Sequence, residues 1–234
     1  GEKSLHKLLK ELCKISGIRW IRILYCYPEE IDDNLIQAIK EEPKICHYLD
    51  LPIQHASDEI LKRMGRRTSK KQLVETIGKL RSEIPDIALR TTLITGFPGE
   101  SEANHEELME FVDGMEFDRL GVFTYSPEED TPAADMPEQI EESVKEDRQA
   151  ELMELQQDIA FDKAEDMVGS EVLMMVEGKV ADENVYVGRT YKDAPNVDGL
   201  IFVHTDAELI TGDFAKVKVT GALEYDLIGE LANE

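Results

Sequence analysis

Cysteine is scarce: Cys13, Cys26 and Cys46 are the only three in 234 residues, separated by 13 and 20 positions. Such spacing speaks against a disulfide framework and against a metal cluster, which needs closely grouped thiolates. The histidines His6, His47, His55, His105 and His204 show neither HxxxH nor HExxH spacing, so no zinc site and no other metal ligands are expected. Long apolar runs are absent too. None approaches the roughly 18 to 20 residues that span a bilayer, and the opening GEKSLHKLLKELCK lacks a hydrophobic signal segment. A cytoplasmic protein without a membrane partner is the expectation.

Positive charge is also in short supply, with 26 Lys plus Arg against 50 Asp plus Glu and a net charge of −24. A polyanionic surface repels phosphate backbones and attracts basic proteins, which argues against direct nucleic-acid binding. Residues 1–136, 137–166 and 167–234 each carry −8, so the short middle segment has the highest charge density. That segment is either a solvated helix face or a surface for a basic partner.

The 41% hydrophobic content suffices for packed cores in one large or two small domains. Leucines at 5, 8, 9 and 12 predict a helix from Ser4 to Ile15, ended by Gly17. Ile18 to Tyr25 reads as a buried strand. Asp32 and Asp33 open a second helix that Pro43 closes, and His47 to Ile53 is the next strand. Ser57 is placed to cap a short helix stopped by Gly65, and Ser69 with Gln72 forms a capping box for another that ends before Pro85. Ile87 to Ile94, a helix from Glu102 to Val112 with Gly114 beyond it, and Leu120 to Thr124 complete four strand–helix alternations. Alternation of this kind demands parallel pairing.

The chain then changes character. Ser126 to Gln139 holds Pro127, Pro132 and Pro137 and excludes regular structure, and a charged helix follows from Glu141 to Met167. Val144, Leu152, Leu155 and Ile159 are its few apolar contacts. Beyond Val168 the period becomes two, with strands expected near 171–177, 185–190, 199–204, 214–220 and 224–230. The fold class is therefore α/β: a partial parallel (βα) barrel over residues 1–140, a linker helix over 141–166, and a five-stranded all-β barrel over 167–234.

Four runs end in polar or glycine-rich turns: IRWIRILYCYPEE, HYLDLPIQHASDE, ALRTTLITGFPGE and FDRLGVFTYSPEEDTPAA. Parallel barrels place their chemistry at the carboxyl ends of their strands. Together with VGRTYKDAPNVDGLIFV after Val168, these runs resemble the radical S-adenosylmethionine (SAM) methylthiotransferases, whose last domain is a TRAM domain. DLPIQHASDEILKRMGR and YSPEEDTPAA are most similar to the branch that modifies an aspartate of ribosomal protein S twelve; the tRNA-modifying branch tends to carry a QSGS-like turn at Gln54 to Ser57. The resemblance implies a transferase using SAM and two 4Fe-4S clusters. The family's CxxxCxxC motif is not in this sequence, so the stretch is expected to begin after the first two barrel strands, to hold no catalytic residue of its own and to be inactive alone. A tRNA-modifying enzyme and a non-catalytic TRAM-bearing module are the alternatives, and the sequence names no electron donor.

Gly96-Phe97-Pro98-Gly99-Glu100 joins a strand to a helix amino terminus and has neither the GKS or GKT ending of a Walker loop nor a GxGxxG pattern. By itself it is either a tight structural turn or a backbone surface for a ligand; the resemblance implies that it lies against SAM. Gln54 offers an amide to the cofactor, while His55 offers an imidazole to the substrate or bonds to the backbone. Arg90 lies within a buried strand, where an unpaired charge is costly; it meets either a carboxylate such as Asp50 or the carboxylate of the cofactor. Tyr125, Glu128, Glu129 and Asp130 follow the fourth strand and either face a basic substrate or form a solvated turn.

Overall fold

The computed structural model describes residues 3–232. The chain divides into two compact units, residues 1–157 and 158–234.

The first unit contains α1 (Leu5–Cys13), β1 (Ile21–Ile23), α2 (Asp33–Glu41), β2 (Ile45–Gln54), α3 (Asp58–Arg63), α4 (Lys70–Glu83), β3 (Ala88–Thr95), α5 (Glu102–Met115) and β4 (Arg119–Thr124). It also holds the first part of a long helix, α6 (Glu142–Glu165). The four strands form one parallel sheet in the order β1-β2-β3-β4. Register places Leu51, Thr91 and Leu120 side by side, and Leu93 beside Val122; all are buried. Asp50, Arg90 and Arg119 align on the other face, where Arg22 stacks 4.3 Å from the centre of the Tyr48 ring.

Local signals account for most helix starts. Asp32 accepts the Leu35 amide at the start of α2, and Ser69 and Gln72 make the reciprocal capping box of α4. A second box, Ser101 with Asn104, opens α5. Three expectations are corrected. Ser57 makes no cap hydrogen bond to α3; its hydroxyl accepts from Asn104 Nδ2 at 2.9 Å instead. Gly114 lies inside α5, which ends at Glu116 in a left-handed conformation with φ 43°. The first strand is only Ile21–Ile23, because β1 is an edge strand whose register with β2 slips between those residues.

The amino-terminal part of α6 docks through polar groups rather than an apolar stripe. Lys145 Nζ, Gln149 Nε2 and Gln156 Nε2 donate to the carbonyls of Tyr125, Val122 and Phe117, on and around β4, at 2.9, 2.6 and 2.8 Å. Covering a sheet edge in this way satisfies backbone groups that would otherwise invite association. Leu152 is the one apolar residue of the expected four that is fully buried on α6.

The second unit contains the rest of α6 and the strands β5 (Glu171–Lys179), β6 (Val185–Arg189), β7 (Ile201–His204), β8 (Phe214–Leu223) and β9 (Asp226–Leu231). These close into a barrel in the order β5-β6-β7-β9-β8, antiparallel except for β7 with β9. Met174, Val176, Tyr186, Ile201, Val203, Val217 and Val219 fill it, the alternate residues of each strand that the period of two predicts.

Candidate functional site

Because the sheet is parallel, the segments after all four strands emerge at one rim. Tyr25 follows β1, Gln54 ends β2, Gly96 follows β3 and Tyr125 follows β4. Left-handed backbone occurs there at Tyr25, with φ 57°, and at Gln54, with φ 73°, while Gly96, with φ 71°, adopts it without strain. A left-handed conformation costs a residue with a side chain roughly 1–2 kcal/mol, and such positions cluster at ligand clamps. At Tyr25 the backbone is held by Asp50, whose Oδ2 accepts the Tyr25 amide at 3.3 Å and whose carbonyl accepts the Cys26 amide at 2.8 Å. The Tyr25 ring is 78% exposed. Gln54 is partly exposed, and among the described residues no partner engages its side-chain amide.

The Gly96 to Glu100 turn is organised from within by its last residue. Glu100 Oε2 accepts the amides of Gly96 at 2.7 Å and Phe97 at 3.3 Å, while Oε1 accepts Arg148 Nη1 at 3.0 Å. His55 lies behind it: Nδ1 accepts the Ser57 amide at 2.9 Å, which places the proton on Nε2, 3.7 Å from Glu100 Oε2. Burial alone would raise the pKa of Glu100. The imidazole of His55, the charge of Arg148 and the Gly96 amide outweigh that and hold the carboxyl below its ordinary range.

Several expected site residues occupy different positions from those the sequence suggested. His55, 0% exposed, takes the second of its two alternatives and accepts a backbone amide, and Glu100 is buried and organises the turn from inside. Tyr125 is also buried; its ring meets Phe97 edge-on at 5.1 Å, and its hydroxyl has no partner. Phe97 is packed in the same small cluster with Ile60, against Met64 and Met136. Arg90 takes the first of its two alternatives, with Nη1 donating to Asp50 Oδ1 at 3.0 Å. Glu128, Glu129 and Asp130 are exposed, in a turn where Asp130 has φ 63°. The accessible part of the rim is therefore Tyr25, Gln54, Gly99 and the Glu128 to Asp130 turn, whereas Gly96, Phe97 and Pro98 are buried.

Four residues that frame the turn were not singled out from the sequence. Lys145 and Arg148 come from α6, and a Cβ on Gly96 would collide with Lys145 Cγ. Arg63 from α3 donates to Pro98 O at 3.4 Å and pairs with Glu138 at 2.9 Å, while Glu138 O accepts the Gly99 amide at 2.9 Å. The segment after β4 is thus tied over the turn. On α6 the inward positions 145, 148, 149, 152 and 156 follow the helical period, but only Leu152 among them is apolar, so the pattern does not stand out in a charged helix.

The donor set does not suit a metal cluster. Cys26 and Cys46 are buried, burial pushes the Cys26 thiol up to about 11, and among the described residues no three His, Cys, Asp or Glu side chains converge. At the rim the side-chain amide of Gln54 is uncommitted among the described residues, while the backbone amides of Gly96, Phe97 and Gly99 are taken by Glu100 and Glu138.

Family comparison agrees with both units. The radical SAM superfamily profile matches residues 1–112 and the TRAM domain profile residues 168–232. A Lachnoclostridium phytofermentans protein named ribosomal protein uS12 methylthiotransferase RimO is 66% identical over 98% of this chain and 52% of its own length. Along its whole length the chain is similar to the RimO-type radical SAM proteins. A Clostridium botulinum RimO is 52% identical over all of this chain and 52% of its own length, so the chain spans about half of the curated relatives it matches. Among solved structures, the Escherichia coli coproporphyrinogen III oxidase HemN, a radical SAM enzyme, matches with TM-score 0.53 at 18% identity, over 72% of this chain and 39% of its own. That likeness concerns the fold alone. Among the described residues of this chain, no helix is long and apolar enough to cross a membrane.

Proposed function

We propose that this chain is the carboxyl-terminal part of a methylthiotransferase that modifies an aspartate of ribosomal protein uS12, and that its sheet rim holds SAM. The observation that carries the reading is the convergence at one rim of Gln54, with its strained backbone and free amide, and the pre-formed Gly96 to Gly99 turn. Gln54 would hydrogen-bond the cofactor, and Gly99, the partly exposed residue of the turn, would border it. SAM supplies the radical that removes hydrogen from an unactivated carbon, and a methyl group. The chain's own task is to orient and shield.

The two 4Fe-4S clusters of this reading find no ligands among Cys13, Cys26 and Cys46 and belong to the half of the relatives that this chain does not span; the stretch alone is inactive. Arg90, engaged by Asp50, acts as an anchor of the sheet face. Glu128, Glu129 and Asp130 receive a basic ribosomal protein at the rim, in the cytoplasm; residues 167–234 separately carry −8.

Titrating this chain against purified uS12 and against tRNA at rising salt tests the partner. Binding to uS12 that weakens steeply with salt supports it. A preference for tRNA, or affinity for uS12 that salt leaves unchanged, overturns it.

A further inference from the structure

We propose that Arg148 and Lys145 of α6 are positioning residues for the cofactor turn, so that the helix leading toward the TRAM domain sets the shape of the SAM site; this rests on the proposed contact between the turn and SAM. Arg148 Nη1 donates to both Glu100 Oε1 and Glu100 O at 3.0 Å, and the other carboxylate oxygen takes the Gly96 and Phe97 amides. Guanidinium, carboxylate and two turn amides are thus linked without a gap. Lys145 works from the other side. Its carbonyl accepts from Thr95 Oγ1 at 3.3 Å, its Nζ donates to Tyr125 O at 2.9 Å, and its stem fills the space left by the missing side chain of Gly96.

Both cations are nearly enclosed, Lys145 at 4% and Arg148 at 7% exposure. Replacing Arg148 and Glu100 together by apolar residues of similar volume need not cost stability, because desolvating charges is expensive. What charges provide is direction: Arg148 holds the Glu100 carbonyl and the carboxylate that organises the turn amides, and Lys145 holds the Tyr125 carbonyl beside the turn. Gly96 and Lys145 therefore act as a matched pair, one without a side chain and the other bent into its place.

The test uses the full-length, cluster-loaded protein and S-adenosylhomocysteine as a non-reacting probe, with dissociation constants from equilibrium dialysis and, separately, kcat and KM for SAM. Arg148→Met is expected to weaken probe binding about tenfold or more and to raise KM more than it lowers kcat, with Arg148→Lys recovering part of the loss. Unchanged binding in a folded Arg148→Met protein overturns the inference. Should that variant unfold, Glu100→Gln with Arg148→Met removes both buried charges; weakened binding there supports the inference, and restored wild-type binding overturns it. Gly96→Ala and Lys145→Ala should be non-additive in probe binding, and strict additivity counts against the matched pair. Gln54→Ala separates the two levels: if it leaves probe binding unchanged, the rim reading itself falls, whereas a loss there beside an inert Arg148→Met sinks only the role of α6.

Discussion

Arg90 and Asp50 face each other across β2 and β3, with Arg90 Nη1 donating to Asp50 Oδ1 at 3.0 Å. Asp50 is 2% exposed, and its second oxygen accepts the amide of Tyr25 beyond β1. One buried carboxylate thereby ties three strand segments together and holds Tyr25 in its left-handed conformation.

Removing the guanidinium should consequently be costly. Arg90→Met leaves the Asp50 charge with only one amide partner among the contacts described above, and the expected loss is about 3 kcal/mol, near the lower limit for breaking a buried pair because Arg90 is partly exposed. Arg90→Lys should lose less. Urea unfolding followed by circular dichroism measures both, and an Arg90→Met midpoint equal to that of the parent would contradict the assignment.

Acid stability carries a second expectation. The folded pKa of Glu100 lies below its ordinary value of 4.5, so its contribution is complete above that value and fades as pH falls through the folded pKa. Glu100→Gln lacks this component and also leaves Arg148 without its buried counter-charge. It should be the less stable protein at neutral pH, and the gap should narrow as pH is lowered below 4.5 through the folded pKa. Urea midpoints across that range read the effect; a gap that widens on acidification would refute it.

In the small barrel, Gly188 and Gly221 make a matched comparison. A Cβ on Gly188 would collide with the Met175 carbonyl and approach Met174 Cε at 2.6 Å, and backbone cannot give way as a side-chain tip does. At Gly221 the nearest atom would be Ile228 Cβ at an ordinary 3.9 Å. Gly188→Ala is expected to lose about 2 kcal/mol or more, as overpacked cores do, and Gly221→Ala to stay within about 0.5 kcal/mol of the parent. Calorimetric melting distinguishes them, and equal shifts would show that the barrel does not close as described.

Much of the architecture follows from local pattern. Alternating strands and helices oblige β1 to β4 to pair in parallel, and the change to a period of two after Val168 marks the barrel. Asp32 and the Ser69–Gln72 box fix helix starts through bonds spanning three residues, which need no distant partner. The Gly96 to Glu100 motif was legible as a special turn for the same reason, since glycine permits backbone conformations that other residues resist.

Tertiary packing alone decided which side of that turn each group serves. The sequence leaves open whether His55 faces a substrate or the backbone; across 45 residues of sequence it meets Glu100 inside the fold, where Arg148 of α6 completes the pair. Nothing local in a charged helix reveals that its Lys145, Arg148, Gln149 and Gln156 turn inward, because a polar side chain is stable in water and equally stable against a backbone group that has lost its water. The sequence thus determines the strands, the turns and the rim they share. Only the assembled sheet, with one open edge needing hydrogen bonds, determines which polar residues are buried and what they hold in place.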